Sequence, residues 1–131
     1  MKWVEPKHTK KAVARAGECL VRNPDDIDEE SMSIIRNWRA SHAYPLNSTQ
    51  SSLRYRLQYI DSDGIVAQRL KRISSIKNKL QRFPSMKLSR MQDIGGCRGI
   101  VSSIKQVYEL KDSILNQLDD VREKKRLHKR M

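Results

Sequence analysis

The chain has 131 residues, of which 37% are hydrophobic and 5% aromatic, and its formal net charge is +12. This length is typical of one domain or part of one, with a modest core of mostly aliphatic side chains. No apolar run is long enough to span a membrane, and the start has no secretory signal. We therefore expect a cytoplasmic protein, without a membrane partner, that attracts anions such as nucleotides or nucleic acid.

The first 62 residues are predicted to form a helical region. Apolar residues recur there at helical spacing over residues 9–21, 25–41 and 47–60. Thr9 is a candidate N-cap of the first helix, and the acidic residues from Asp25 onward suit the first turn of the second. Pro45 is expected to separate the second helix from the third, since the residue before a proline avoids the α region.

Strands and helices are predicted to alternate over residues 63–131. We predict a strand over 65–73, a helix over 74–81, a helical turn over 87–91, a strand over 97–101 and a helix over 103–118. Ser74-Ser75 is the expected cap of the first of these helices, and Val121 is a candidate start for a third strand. The fold class is thus mixed α/β (α+β), with N-terminal helices followed by strand, helix, strand and helix.

A basic run of a single sign lies in the middle of this second region. Between Gly64 and Gln92 the chain has no acidic residue, and Asp93 is the first carboxylate after the run. The cations of the run are Arg69, Lys71, Arg72, Lys77, Lys79, Arg82, Lys87 and Arg90. Because a solvated surface normally mixes charges of both signs, this block indicates a polyphosphate site with a metal ion beside it.

The spacing of these charges favours phosphate binding. Arg69 and Lys71 lie two residues apart on the predicted strand, so both side chains point to the same face. The strand leads into a helix whose first turn carries Ser75, where free backbone N–H groups favour anions. Lys79 follows Ser75 by four residues, on the same helix face. These groups fit a di- or triphosphate, and they also leave open a generic basic surface that binds RNA.

Asp93 is the candidate metal ligand, because a carboxylate at the entrance of a strand can hold Mg²⁺ between phosphate oxygens. Gly95 and Gly96 follow it and would allow backbone or ligand to approach closely. Arg98 is predicted to lie on the same strand face as Gly96. A turn or cap residue is the alternative role for Asp93. The scattered histidines and the two cysteines have no metal-ligand spacing.

The segments RLKRISSIKNKL and MQDIGGCRGIV resemble the synthetase domain of the RelA/SpoT (alarmone synthetase) family, and the leading segment NWRASHAYPLN resembles a branch of small members without the hydrolase domain. The family pattern is a strand with Arg-x-Lys, then Ser-Ile and a lysine on the next helix, then Asp-x-x-x-x-Arg entering a strand. The matching residues here are Arg69, Lys71, Ser75, Ile76, Lys79, Asp93 and Arg98. Gln68 departs from the pattern, which commonly has glycine before the arginine.

The resemblance implies a nucleotidyltransferase-like synthetase fold and a pyrophosphokinase activity. Enzymes of this family transfer pyrophosphate from ATP to the 3′-hydroxyl of GDP or GTP and release AMP. The residues that would bind ATP and its phosphates are Arg69, Lys71, Ser75, Lys79 and Arg98. Asp93 would hold the Mg²⁺ ion that accompanies ATP.

Residues 63–131 match only the donor-nucleotide side of the family's domain. The acceptor motif Gly-Tyr-x-Ser-x-His and a later catalytic glutamate have no counterpart in the sequence. We therefore expect the catalytic residues beyond Met131, and a chain that is truncated and inactive as given. Two alternatives stay open: a toxin-type member that pyrophosphorylates the 3′ end of tRNA, and a non-enzymatic basic module that binds RNA.

Overall fold

The chain folds as a mixed α and β protein, seen in a computed structural model that describes residues 3–130, with side chains for residues 3–117. The helices are α1 (Lys10–Arg22), α2 (Glu29–Ser41), α3 (Ala43–Ile60), α4 (Ile73–Arg82) and α5 (Ile104–Arg130). The strands are β1 (Ile65–Leu70) and β2 (Gly95–Ile100), and a 3₁₀ turn spans Leu88–Arg90. This order of three helices followed by strand, helix, strand and helix confirms the predicted order.

Contacts divide the chain into two compact units. The first unit consists of Met1–Thr49 and Gln68–Cys97, and the second of Gln50–Ala67 and Arg98–Met131. The predicted division after residue 62 is drawn along the sequence and stays a prediction. Within residues 3–130, no helix is both long enough and apolar enough to cross a membrane.

The strands β1 and β2 pair in a two-stranded sheet. The backbone N–H of Lys71 donates to the carbonyl of Ile94, with an N···O distance of 2.6 Å. This bond joins the residue that follows β1 to the residue that precedes β2, so the two strands run antiparallel. The end of one strand and the entrance of the other therefore lie side by side.

The amphipathic helix α1 forms as its sequence predicts. Thr9 caps it, because its hydroxyl oxygen accepts the N–H of Ala12 at 3.1 Å. The predicted apolar face is buried and consists of Val13, Ala16, Gly17 and Leu20. It packs in the core of the first unit, whose other buried members are Ile35, Ile76, Leu80, Leu88, Met91 and Ile94.

The start of α2 differs from the prediction. The helix begins at Glu29 rather than at Asp25, because the Asp28 carboxylate caps it by accepting the N–H of Ser31 at 3.0 Å. Hydrogen bonds from the side chain and backbone of Ser31 hold the pKa of Asp28 below its ordinary value. The three residues before Asp28 are thus excluded from the helix.

The start of α3 is also corrected by the structure. The helix begins at Ala43, so both the exit expected at Pro45 and the start expected at Asn47 are wrong. Proline is tolerated in a first turn, because the N–H groups there have no partner within the helix. The next residue, Leu46, already donates its N–H to the carbonyl of His42 at 3.0 Å.

The start of α4 replaces the end of the predicted strand. Ile73 opens the helix and packs against the core, so the predictions that the strand runs to Ile73 and that Ser74-Ser75 caps the helix are wrong. Arg72 holds the cap position without a side-chain cap hydrogen bond. The two apolar residues that lie four positions apart on α4, Ile76 and Leu80, are buried.

The last helix, α5, is longer than the predicted 103–118. Ser103 is its cap as predicted, because its hydroxyl accepts the N–H of Gln106 at 3.2 Å. The helix continues through Val121 to Arg130, so a third strand at Val121 is wrong. The sequence there is rich in strong helix formers and contains neither glycine nor proline. Of the apolar residues that recur at helical spacing along α5, Leu110 is buried but Ile104 is 76% exposed.

A buried carboxylate organises the second unit. One oxygen of Asp61 accepts the backbone N–H of Ser102 at 2.9 Å and its hydroxyl at 2.7 Å. The other oxygen accepts the N–H of Asp63 at 3.0 Å. These hydrogen bonds, the Ser102 hydroxyl first, favour the ionised form and hold the pKa of Asp61 below its ordinary value. They tie the turn after α3 to the segment after β2.

Gly17 lies where α1 meets the 3₁₀ turn, and a Cβ there would stand 2.8 Å from the Cβ of Leu88. Replacing Gly17 with alanine should lower the free energy of unfolding by about 1–3 kcal/mol, because overpacking outweighs a helix-propensity gain of about 1 kcal/mol. Urea unfolding measures the change. Glu18→Ala, one residue away on the exposed face, is the control and should change stability by about 0.5 kcal/mol or less. A stabilised Gly17→Ala variant would show that the two elements are not in close contact.

Candidate functional site

An open cleft with a volume of about 480 Å³ lies along α4 in the first unit. Its lining residues are Lys71, Ser75, Asn78, Lys79, Arg82, Phe83 and Asp93. Three of these seven side chains are cations, and Asp93 is the single carboxylate. The cleft thus carries a net positive charge and attracts anions.

The antiparallel pairing of the strands places Lys71 next to Asp93. The N–H of Lys71 donates to the carbonyl of Ile94, the residue that directly follows Asp93. Ile94 is 0% exposed, so this junction is anchored in the core. Arg39 of α2 adds a second restraint, because its Nε donates to the carbonyl of Lys71 at 2.7 Å. The backbone at Lys71 is therefore held through both its N–H and its carbonyl.

Two lysines converge on the Asp93 carboxylate. The Nζ of Lys71 lies 2.8 Å from Oδ2, and the Nζ of Lys79 lies 2.8 Å from Oδ1. The lysine side chains are 18% and 27% exposed, whereas that of Asp93 is 48% exposed. The two ammonium groups, from separate parts of the chain, can therefore reach one anionic group that lines the cleft.

The two lysines also set the ionisation of Asp93. Hydrogen bonds from Lys71 first and Lys79 second lower the pKa of Asp93 from 3.8 to about 2, against a smaller opposing effect of burial. The carboxylate is thus ionised over the whole physiological range of pH. It neutralises part of the charge of the two lysines.

This pKa predicts how stability depends on pH. A folded-state pKa below the unfolded value of 3.8 means that the ionised carboxylate stabilises the protein above about pH 4 and loses this effect as the pH falls through about 2. Asp93→Asn should thus lower the free energy of unfolding at pH 6 by only about 1 kcal/mol, since the half-exposed pair is screened by solvent. Urea unfolding from pH 6 to pH 2 should show that the difference in free energy of unfolding between the original chain and Asp93→Asn becomes smaller. A difference that stays constant would show that it does not come from the ion pairs of Asp93.

Ser75 lines the same cleft from the first turn of α4. Backbone N–H groups in a first helical turn have no partner within the helix. The first turn of a helix is therefore a donor for anions, and the helix dipole adds to the attraction. Ser75 brings such a turn to the same cleft as the two lysines.

The two arginines that were predicted to bind phosphate do not line the cleft. Arg69 is exposed on β1 and is not among the residues that line the cleft. Arg98 is exposed on β2 and belongs to the second unit. The cleft therefore brings together four of the six predicted site residues, namely Lys71, Ser75, Lys79 and Asp93. The roles assigned to Arg69 and Arg98 stay predictions.

The donor set around Asp93 fits Mg²⁺ only together with a phosphate ligand. Within the described side chains, no group of three or more His, Cys, Asp or Glu residues could hold a metal ion. Mg²⁺ is commonly held by one or two carboxylates plus substrate phosphates, and it keeps several waters. Asp93 can supply that single carboxylate, once its oxygens are released from Lys71 and Lys79.

Sequence reasoning missed four residues of this region. Asn78 and Arg82 share a helix face with Ser75 and Lys79, so their spacing along α4 could have indicated them. Phe83 ends α4 and lines the cleft while 46% exposed. Arg39 comes from a distant part of the chain, and no local pattern signals its contact with Lys71.

No family model matches the chain, and no curated protein matches it. The resemblance to the RelA/SpoT family therefore stays a prediction from the residues of the two segments. The geometry of the cleft is independent of that resemblance. Four residues that line the cleft, namely Lys71, Ser75, Lys79 and Asp93, also belong to the family pattern.

Proposed function

We propose that the cleft binds the polyphosphate of ATP, and that the protein supplies the donor-nucleotide site of a RelA/SpoT-type pyrophosphokinase with a nucleotidyltransferase-like fold. The observation that carries this proposal is the convergence of Lys71 and Lys79 on one carboxylate at 2.8 Å each. Two ammonium groups that reach both oxygens of one carboxylate can equally reach two oxygens of a polyphosphate.

An incoming polyphosphate competes with Asp93 for the lysines. A triphosphate carries more negative charge than one carboxylate, and charge-assisted hydrogen bonds to phosphate are strong. Lys71 and Lys79 then turn to the phosphate oxygens, which leaves the Asp93 carboxylate without its cations. An exposed carboxylate beside bound phosphates is the ligand set that Mg²⁺ uses. Asp93 therefore holds the lysines in the free protein and would hold the metal ion in the complex.

The proposed chemistry consists of positioning and charge stabilisation. Mg²⁺, held by Asp93, would supply a positive charge that offsets the negative charge developing on the phosphates. Lys71 and Lys79 orient the chain of phosphates, and the first turn of α4 at Ser75 donates to an anionic oxygen. The arrangement is suited to displacement at a phosphorus atom, in which the main requirement is a fixed geometry.

The reaction that the resemblance implies transfers pyrophosphate to a ribose 3′-hydroxyl. The 3′-hydroxyl oxygen bonds to the β-phosphorus of ATP and gives its proton to a general base, the bond from that phosphorus to the oxygen shared with the α-phosphorus breaks, and AMP leaves with that oxygen. GDP or GTP is the acceptor that we propose, with the 3′ end of tRNA as the alternative for a toxin-type member. Both acceptors need the same donor site, so the donor site is tested first.

Binding of a series of adenine nucleotides tests the proposal. Calorimetric titration of the chain with ATP, ADP and AMP in Mg²⁺ should give affinities that fall along the series, with ATP about 100-fold tighter than AMP. Inorganic tripolyphosphate should compete with ATP, because the lysines recognise phosphates. Equal affinity for ATP and AMP would show that the cleft does not bind the polyphosphate.

A further inference from the structure

A second basic cleft lies in the first unit, outside the site that contains Asp93. It has a volume of about 710 Å³ and is lined by residues of α1 and by residues at the 3₁₀ turn. These residues are Lys10, Lys11, Ala14, Arg15, Glu18, Lys87, Ser89 and Arg90. Five of the eight are cations and one is an acid. We call this cleft the α1 cleft.

The two walls of the α1 cleft are fixed relative to each other. Leu88 is 1% exposed and stands between Lys87 and Ser89, so its burial anchors the turn that carries the second wall. It packs directly on α1, where a Cβ at Gly17 would stand 2.8 Å from its own Cβ. The cations of α1 and those of the turn are therefore presented by a packed core, and the cleft is preorganised.

The positive charge of the α1 cleft is not neutralised within the first unit. Its acid, Glu18, lies 3.7 Å from Arg22, which is outside the cleft lining. Among the side chains of residues 3–117, no carboxylate lies within 4.0 Å of the five cations, Lys10, Lys11, Arg15, Lys87 and Arg90. All five are exposed. A concave surface with a net positive charge concentrates anions from solution.

We propose that the α1 cleft binds the sugar–phosphate backbone of a nucleic acid, without reading its sequence. The lining contains no aromatic side chain on which an isolated nucleobase could stack, and its single apolar residue is Ala14. A membrane surface would instead require exposed apolar side chains beside the cations. Rows of lysine and arginine on two walls suit a chain of phosphates, for which affinity comes from charge. This inference does not depend on the ATP site.

Salt-dependent RNA binding tests the proposal. Fluorescence anisotropy with a labelled single-stranded 20-nucleotide RNA is measured over a range of KCl concentrations. Removing three cations from one wall, in Lys10→Gln/Lys11→Gln/Arg15→Gln, should lower the slope of log affinity against log salt by about 2. Removing two from the other wall, in Lys87→Gln/Arg90→Gln, should lower it by about 1. Circular dichroism verifies that each variant is folded.

A control variant that loses three cations elsewhere distinguishes binding at the α1 cleft from a general attraction of RNA to the positively charged protein. Arg54→Gln/Lys105→Gln/Lys111→Gln removes three exposed cations from the second unit and should leave the slope within about 0.5 of the original. An equal effect of this control, or an unchanged slope in either wall variant, would overturn the proposal. Saturating ATP with Mg²⁺ should not displace the RNA. Displacement would assign RNA to the Asp93 site and would also overturn it, whatever the outcome for ATP.

Discussion

Replacing both Lys71 and Lys79 with alanine should weaken binding of ATP with Mg²⁺ by about 100-fold, which isothermal titration calorimetry can measure. Each hydrogen bond to a charged group contributes about 1.5–3 kcal/mol, so the loss of two removes about 3 kcal/mol or more. The fold should survive, because both side chains are partly exposed and neither belongs to the hydrophobic core. The freed Asp93 carboxylate stays in contact with water at 48% exposure.

A control must remove the same charge elsewhere. Lys77→Ala/Lys105→Ala also removes two cations, and neither residue lines the cleft. Lys77 lies on α4, as Lys79 does, so this variant tests whether a cation near the cleft contributes to ATP binding without lining it. We expect this variant to bind ATP within about threefold of the original chain, since charges that do not contact the ligand are screened by salt. If the two double variants weaken binding equally, the overall charge of the chain explains the affinity and the paired lysines do not.

Replacing Ile94 with alanine should lower the free energy of unfolding by about 2–5 kcal/mol, because it opens a cavity in the core. Ile94 is 0% exposed and belongs to the cluster that α1, α2 and α4 share. Ile94→Val removes one methylene and should cost about 0.5–1.5 kcal/mol. Small domains have a total stability of about 5–15 kcal/mol, so the alanine variant would lose a large fraction. Urea unfolding at neutral pH measures both values.

The same residue connects the core to the site. Its carbonyl accepts the N–H of Lys71, and it directly follows Asp93. Ile94→Ala should therefore also weaken ATP binding, although it touches no ligand. The control is Ile104→Ala at a position that is 76% exposed, for which we expect a change of about 0.5 kcal/mol or less. Similar losses for the two alanine variants would contradict the burial of Ile94.

The local part of the site was predictable from the sequence. Spacing of four residues puts Ser75 and Lys79 on one face of α4, and both line the cleft. The buried positions of α1 and α4 follow from apolar periodicity in the same way. In each case the relevant residues lie within one element, so local geometry alone fixes their arrangement.

The contacts between elements were not predictable. Lys71 meets Asp93 because β1 and β2 run antiparallel in one particular register, and neither strand's sequence specifies its partner. Arg39 reaches the Lys71 carbonyl from a helix more than thirty residues away. These contacts depend on tertiary packing.

Periodicity also misjudged burial in the second unit. The apolar stripe of α5 has helical spacing, yet Ile104 and Tyr108 are 76% and 59% exposed. Periodicity identifies a face but not whether another element covers it. The predicted start of α3 was wrong for a different reason, since a proline in the first turn of a helix loses no hydrogen bond. Pro45 was thus compatible both with a position between two helices and with the first turn of α3.

The exchange of Asp93 between lysines and metal ion is the central claim about the site. Calorimetric titration with ATP, in Mg²⁺ and again in EDTA, tests it directly when the original chain and Asp93→Asn are compared. We predict that Mg²⁺ strengthens ATP binding by about tenfold in the original chain and has almost no effect in Asp93→Asn. In EDTA the variant should bind ATP at least as tightly, because Lys71 and Lys79 no longer have to leave a carboxylate. An equal effect of Mg²⁺ on both proteins would show that Asp93 does not hold the ion.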